Sequence, residues 1–509
     1  MKRVPVLTAA QAVALIPDGA TVGVDGFVGC AHPEELTLAL EERFAREGAP
    51  RNLTLVYAAG QGDGKSRGLN HLAAEGMLKR IIGGYWNLAP KLGQLAREGK
   101  VEAYNFPQGV ISHLFREIAG GKPGVITHIG LGTFVDPRNG GGRLNDRTTE
   151  ELVEVVTLSG REWLFYKAFP IHVALLRGTA GDSYGNISLD DEVTTAEVLS
   201  LAQAARNSGG KVIVQVARLV DDFSRKAKEI DIPGIFVDAM VVGRPENHMQ
   251  TYGEAFNPVY ITQGDTHKAA LAAMEPGPRK TICSRAFLEC AAGNVINLGI
   301  GMPEGIAQIA KERGRLHDLV FTVEAGAVGG LPASGLSFGA SVHPMAIIGQ
   351  PYMFDFYDGG GLDVAFLGMA ECDVAGNVNV SKFAGRVSGV GGFMNITQPA
   401  KQCVFLGTFT AGGLETAFAD GQLRIVTEGK ARKFTRQVEH VTFSGRYAQQ
   451  MGKRVLYLTE RAVFRLTAAG LELIEIAPGI DLERDILANM DFKPAISPEL
   501  RLMPVSCFV

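Results

Sequence analysis

Residues 318–330, DLVFTVEAGAVGG, align without gaps with residues 52–64, NLTLVYAAGQGDG. Each stretch is an apolar, β-branched run that ends in small residues, the pattern of a buried strand followed by a glycine-rich loop. Two other segments recur in the same order. TVGVDGFVGCAHPEELTLAL (21–40) resembles VINLGIGMPEGIAQIA (295–310): an apolar strand, a glycine loop, then Pro-Glu opening a helix. Proline suits the first helical turn, and glutamate suits its positive end. GDSYGNIS and CDVAGNVNVS share D-x-x-G-N, at Asp182, Gly185 and Asn186 and again at Asp373, Gly376 and Asn377. A chain that repeats strand–loop–helix units in this way reads as α/β: two homologous, doubly wound, Rossmann-like open sheets, with the active site in the cleft between them.

The repeat places the domains at 1–275 and 276–509, joined at the proline- and glycine-rich EPGPRK (275–280). Pro33 and Asp182 lie 149 residues apart and Pro303 and Asp373 only 70, so the first half carries 79 extra residues. YNFPQGVISHLF (104–115) and the glycine-rich ITHIGLGTFVDPRNGGG (126–142) fall there and are expected to be loops covering a cleft.

The repeat is asymmetric at one position. Glu324 corresponds to Ala58, so only the second half carries a carboxylate where its strand ends. Ligands of open α/β sheets bind beyond the carboxyl ends of the strands. A carboxylate set among alanine and glycine can be approached by a bulky substrate and is flanked by backbone N–H groups. The plainer alternative is a glutamate at the exposed end of a buried strand.

The composition excludes several function classes. With 46% hydrophobic residues, 20% charged residues and 63 glycines, 509 residues make a globular protein of more than one domain. The net charge is −4, with no long Lys/Arg run, which argues against nucleic acid or an anionic membrane as partner. MKRVPVLTAAQAVALI at the start faintly imitates a signal peptide, but Pro5, Thr8 and Gln11 interrupt it; it reads as the first helix of a cytoplasmic domain. No apolar run reaches the roughly 18 residues of a membrane span. The six cysteines (Cys30, Cys283, Cys290, Cys372, Cys403, Cys507) and ten histidines show no metal-ligand spacing, and reduced structural thiols are expected. Two motifs mislead. Gly299, Gly301 and Gly305 are spaced G-x-G-x-x-x-G, not as a dinucleotide fingerprint, and the G-x-S-x-G at Gly335–Gly339 follows loop-like GGLPAS rather than a strand.

Taken together, DGFVGCAHPEEL (25–36), FPQGV (106–110), GTFVDP (132–137), GIGMP (299–303), VEAGAVGG (323–330), GVGGFMNI (389–396) and APGIDLERDIL (477–487) resemble the class I CoA-transferases, with both subunit types fused in one chain. Within that family the AGAVGG after the glutamate is most similar to the bacterial acetate and propionate enzymes. The resemblance implies ping-pong transfer of CoA between a short-chain acyl-CoA (acetyl, propionyl, butyryl or acetoacetyl) and a free carboxylate, through a glutamyl-CoA thioester on Glu324. It implies oxyanion stabilisation by Gly391 and Gly392, and CoA or substrate contacts from Gln108, Gly109, Gly299, Gly301 and Met302. Lys382, Arg386 and Lys401 are candidates for the CoA phosphates. No permanently bound cofactor and no metal are expected, CoA being a substrate, and the protein is expected to be a homo-oligomer, dimer or tetramer. An acyl-CoA hydrolase on the same scaffold and a non-catalytic ligand sensor are the alternatives.

Overall fold

The computed structural model describes residues 3–266, 271–383 and 385–508. In the first half the principal elements are β1 (Thr21–Val24), α1 (Glu34–Glu47), β2 (Leu53–Tyr57), β3 (Leu78–Gly83), β4 (Glu102–Asn105), α2 (Gln108–Ala119), β5 (Val173–Gly181), β6 (Lys211–Leu219) and β7 (Ala239–Val242). These strands run parallel in the order β7-β6-β5-β1-β2-β3-β4. In the second half β8 (Val295–Leu298), α3 (Gly305–Glu312), β9 (Val320–Thr322), α4 (Gln350–Asp358), β10 (Val364–Gly368), α5 (Phe393–Thr397), β11 (Gln402–Leu406) and β12 (Arg454–Leu458) follow. The order β9-β8-β10-β11-β12 is again parallel.

The two sheets therefore wind outward from equivalent first strands, β1 and β8, whose neighbours are β2 and β5 in one sheet and β9 and β10 in the other. Because the central parallel strands are largely buried on both faces, their sequences are mostly apolar, which is what made the repeat visible. The D-x-x-G-N turns are also built alike. In each, one Asp oxygen accepts the amides two and four residues on, at 2.9 and 3.0 Å for Asp182 and 3.0 and 3.0 Å for Asp373. Gly185 and Gly376 take φ of 84° and 77°, where a side chain would be strained. The second sheet differs at its far edge. There β13 (Ala462–Thr467) and β14 (Gly470–Ile476) add antiparallel and β15 (Ala495–Leu502) pairs parallel to β14. Arg285 bridges from the helix Pro278–Phe287 to Glu475 of β14 at 2.7 and 3.0 Å, both side chains being buried.

The expectation of covering loops in the first-half insert needs correction. YNFPQGVISHLF is the end of β4 and most of α2. Val110, Ile111, Leu114, Phe115 and Ile118 fall at helical spacing on α2, and Pro107 closes the strand ahead of it. This helix is a buried wedge between the halves. Arg116 binds Asp355 of α4 through two hydrogen bonds of 2.8 and 3.0 Å, and His113 Nε2 lies 3.1 Å from the Pro351 carbonyl. Apolar contacts of α2 and α4 merge into one core cluster that spans both halves. ITHIGLGTFVDPRNGGG does run as turns after Thr127, with Asp136 buried among them.

Candidate active site

Two residues beyond β9, Glu324 lies buried at the carboxyl end of the second sheet. Asn297 on the neighbouring strand β8 points its amide at the carboxylate, Nδ2 to Oε2 at 3.3 Å. The same Nδ2 lies 3.3 Å from the Thr322 carbonyl and 3.4 Å from the Tyr357 hydroxyl, which itself donates to Thr322 Oγ1 at 2.8 Å. Among the described residues Glu324 therefore has one side-chain hydrogen-bond partner, which is neutral, and no cation in contact. Burial pushes its pKa upward, opposed by its own backbone amide and by Asn297. A carboxylate made more basic by desolvation is a better nucleophile once ionised.

The carboxylate opens on a cavity of about 210 Å³ between the halves. The first half contributes Phe27, Val28, Gly60, Tyr85, Leu88 and Gln108; the second contributes Asn297, Gly299, Phe338, Leu367 and the glycine loop Gly389–Gly392. Much of the wall is thus backbone or apolar side chain. Asn297 Oδ1 is buried there without a donor among the described residues.

The glycine loop is held from the opposite half. Trp86 and Asn87 amides donate to the Ser388 carbonyl at 2.9 and 3.1 Å, Gln108 N–H donates to the Gly391 carbonyl at 2.9 Å, and Asn105 Oδ1 accepts from Val390 at 3.0 Å. Gly389 requires glycine: its φ is +84°, and a Cβ there would meet the Trp86 nitrogen and the Gly84 oxygen at 2.8 and 2.9 Å. Next to Glu324, Thr194 donates its hydroxyl to the Ala325 carbonyl, and the Gln350 backbone N–H donates to the Ala196 carbonyl at 3.0 Å. Both halves are therefore needed to set the carboxylate in place.

The proteins most informative for comparison match nearly end to end. The chain is 44% identical over its whole length to the acetate CoA-transferase YdiF of Escherichia coli O157:H7, covering 96% of that protein. Over 99% of its length it is 44% identical to the caffeate CoA-transferase of Acetobacterium woodii, covering 97% of that protein. The chain belongs to the coenzyme A transferase family. That family's model matches residues 6–243 directly. The crystal structure of Escherichia coli O157:H7 acyl-CoA transferase YdiF in a thioester complex with CoA superposes with a TM-score of 0.94 at 43% identity, covering all of this chain and 96% of that one. The protein is an acyl-CoA:carboxylate CoA-transferase with the fused, two-half fold.

In this CoA-transferase the cavity gathers Glu324, Gly391, Gly392, Gln108 and Gly299. Their parts differ from the expectation in one respect. The Gly391 N–H already donates to the Gly84 carbonyl at 2.8 Å, so it is committed to holding the loop. The Gly392 N–H has no protein acceptor among the described residues, and a Cβ on Gly392 would lie 3.5 Å from Glu324 Cγ. Three of the expected contact residues sit apart from the cavity lining. Gly109 packs between the halves, where a Cβ would strike Asn395 Nδ2 and Phe354 at 2.5 and 2.6 Å; its glycine serves helix packing. Gly301 is glycine for its backbone, with φ of +87° and open space on its Cβ side. Met302 packs on the core, and its carbonyl accepts from the Cys283 thiol at 3.2 Å.

Lys401 precedes β11 and pairs with Asp363 at 2.7 Å, at the sheet edge opposite the carboxyl ends, so it does not face the site. Lys382 and Arg386 stand on short strands between two lining positions, Val380 and Gly389. Ser337 of the G-x-S-x-G motif lies in a single 3-10 turn with its hydroxyl 2.9 Å from that of Thr251, so it forms no nucleophile elbow. Sequence reasoning missed Asn297, Tyr357, Thr194 and Gln350. Their signal is spatial: Asn297 and Tyr357 gather beside Glu324 within the second half, and the segment around Thr194 reaches it only through the contact between halves. No helix among the described residues is long and apolar enough to cross a membrane.

Proposed function

We propose that Glu324 is the covalent carrier of CoA in a ping-pong exchange between short-chain acyl-CoAs and free carboxylates. The observation that carries this reading is the placement of Glu324: a buried carboxylate without a cationic partner among the described residues, at the junction of two halves, beside backbone glycines and a small cavity. An Oε atom attacks the thioester carbonyl, the C–S bond breaks, and CoA leaves as thiolate from an acyl-glutamyl anhydride. The thiolate then attacks the glutamyl carbonyl, the first carboxylate leaves, and a glutamyl-CoA thioester remains. The entering acid reverses the steps. One thioester replaces another of similar energy, so no ATP or metal is needed.

The Gly392 N–H and the side-chain amide of Gln108 are the donors suited to the oxyanion of both tetrahedral intermediates. Asn297 Oδ1 is suited to accept an amide N–H of the pantetheine arm, which would run past Gly299. Lys382 and Arg386, between the lining positions Val380 and Gly389, are suited to the CoA phosphates. The narrow cavity between Phe27, Leu88 and Phe338 favours a short acyl chain. The enzyme acts as a cytoplasmic homo-oligomer, dimer or tetramer, which would cover the exposed Tyr352 and Phe356 of α4.

Mass spectrometry of peptides after brief incubation with acetyl-CoA and acid quench tests the assignment. A CoA-sized adduct on the Glu324 peptide is expected. Release of free CoA without an adduct, unaffected by added acetate, overturns the carrier and indicates hydrolysis.

A further inference from the structure

Behind Gln108 a line of buried polar groups runs away from the cavity and ends in two carboxyls for which the transfer chemistry has no use. Gln108 Nε2 donates to Gln350 Oε1 at 3.3 Å, and Gln350 Nε2 donates to Glu197 Oε1. The Glu197 carboxyl in turn meets that of Asp25, and the Glu197 amide donates to Asp25 Oδ1 at 3.0 Å. All four side chains are buried. Asp25 Oδ2 has no N–H or hydroxyl donor among the described residues.

Two ionised carboxylates do not share such a contact, so one proton must lie between them. Asp25 already accepts backbone N–H groups from Glu197 and Gly26, which favours its charged form and leaves the proton on Glu197. The charged groups around the pair agree with this. Glu192 faces Asp25 but is neutralised by Arg177 at 2.9 Å, with His248 3.4 Å away, while the neutral hydroxyl of Ser112 and side-chain amide of Gln350 face Glu197 from α2 and α4.

A protonated Glu197 is directional: its O–H donates to Asp25 and its C=O accepts from Gln350. Gln350 is then compelled to turn its own C=O toward Gln108, which turns an N–H of Gln108 toward Gln350 and fixes the face that Gln108 shows to the cavity. We propose that Asp25 and Glu197 are positioning residues that share one proton and orient the side-chain amide of Gln108 toward the reacting thioester through Gln350. The proposal rests on the cavity being the transfer site, and it is independent of which acyl group enters.

The chain of donors predicts how substitutions rank. In E197Q the new amide N–H replaces the O–H and its C=O still accepts from Gln350, so the order is kept. In E197M the volume is similar but both links are lost. E197M is expected to lower kcat by about tenfold or more while KM for acyl-CoA changes little, and E197Q is expected to recover most of that kcat. Q350L should match E197M, and the double variant E197M/Q350L should be no slower than either single one.

Infrared difference spectra give a readout without turnover. Wild type minus E197Q at neutral pH should show a protonated-carboxyl C=O band. Absence of that band, equal kcat in E197M and wild type, or an E197Q variant as slow as E197M would each overturn the proposal. Failure of the carrier assignment would appear separately, as a missing Glu324 adduct with the infrared band intact.

Discussion

Replacing Glu324 by aspartate is the sharpest probe of the site, because it keeps the charge and moves it. Removal of one methylene draws the carboxylate back by about 1.5 Å along the side chain. Its Oε2 now stands 3.3 Å from Asn297 Nδ2, already near the limit of a hydrogen bond, so the retracted group loses that partner. It also withdraws from the face of Gly392, where 3.5 Å separates Glu324 Cγ from the position of a Cβ. A displacement of about 1 Å in a reacting group costs on the order of 10²-fold, so transfer should fall by at least about 10²-fold, or about 3 kcal/mol of transition-state stabilisation. Stability should fall by only about 1 kcal/mol for the lost methylene. The assay is label exchange between acetyl-CoA and propionate, run beside thermal unfolding. Exchange within threefold of wild type, in a variant that melts normally, would show that the carboxylate position is immaterial and would refute the nucleophile assignment.

Other substitutions and conditions test separate parts of the argument. Because burial raises the pKa of Glu324 above the ordinary 4.5, the rate of adduct formation should fall on acidification with a midpoint above that value; an acid limb at or below it would contradict the desolvation. By the same sign, the buried charge costs the fold nothing below the unfolded pKa and destabilises it increasingly as pH rises through the folded one, so Glu324→Gln should melt higher than wild type near neutral pH and lose that advantage in acid, while abolishing transfer. Gly392→Ala, at φ of −78°, should fold normally yet slow transfer, whereas Gly391→Ala, at φ of +53°, should also cost about 1–2 kcal/mol of stability; melting temperatures and exchange rates separate the two. Arg285→Met leaves Glu475 buried with only the exposed Arg501 at 2.8 Å, and should destabilise by about 3–5 kcal/mol in urea titrations without changing kcat of the folded fraction.

Much of the fold was legible because parallel strands are buried on both faces. The runs at 21–24, 53–57, 295–298 and 320–322 are mostly apolar, with a single Thr or Asn in each, and a repeated order of such runs leaves few topologies open. The insert was less legible. α2 begins immediately after Phe-Pro and carries Gly109 and Ser112, which resemble loop residues in one dimension; the small size of Gly109 reflects close packing against Phe354 and Asn395 of the other half. Among the site residues, Glu324 stood out because its repeat partner is Ala58, and Gln108, Gly299 and the glycine loop were carried by motif. Asn297, Tyr357 and Thr194 are ordinary strand, helix and loop residues, and nothing at their own positions marks them.

The sequence alone determined that two similar open sheets exist, that one of them ends in a carboxylate, and which family the chain resembles, since local polarity and spacing record strands, turns and helix starts. Only the tertiary structure decided what that carboxylate can do. Its burial, the neutral Asn297 beside it, the commitment of the Gly391 amide to Gly84, and the polar line from Gln108 to Asp25 are all set by packing, much of it where the halves meet. Such contacts join residues more than a hundred positions apart, and desolvation and hydrogen-bond direction depend on that meeting rather than on neighbours along the chain.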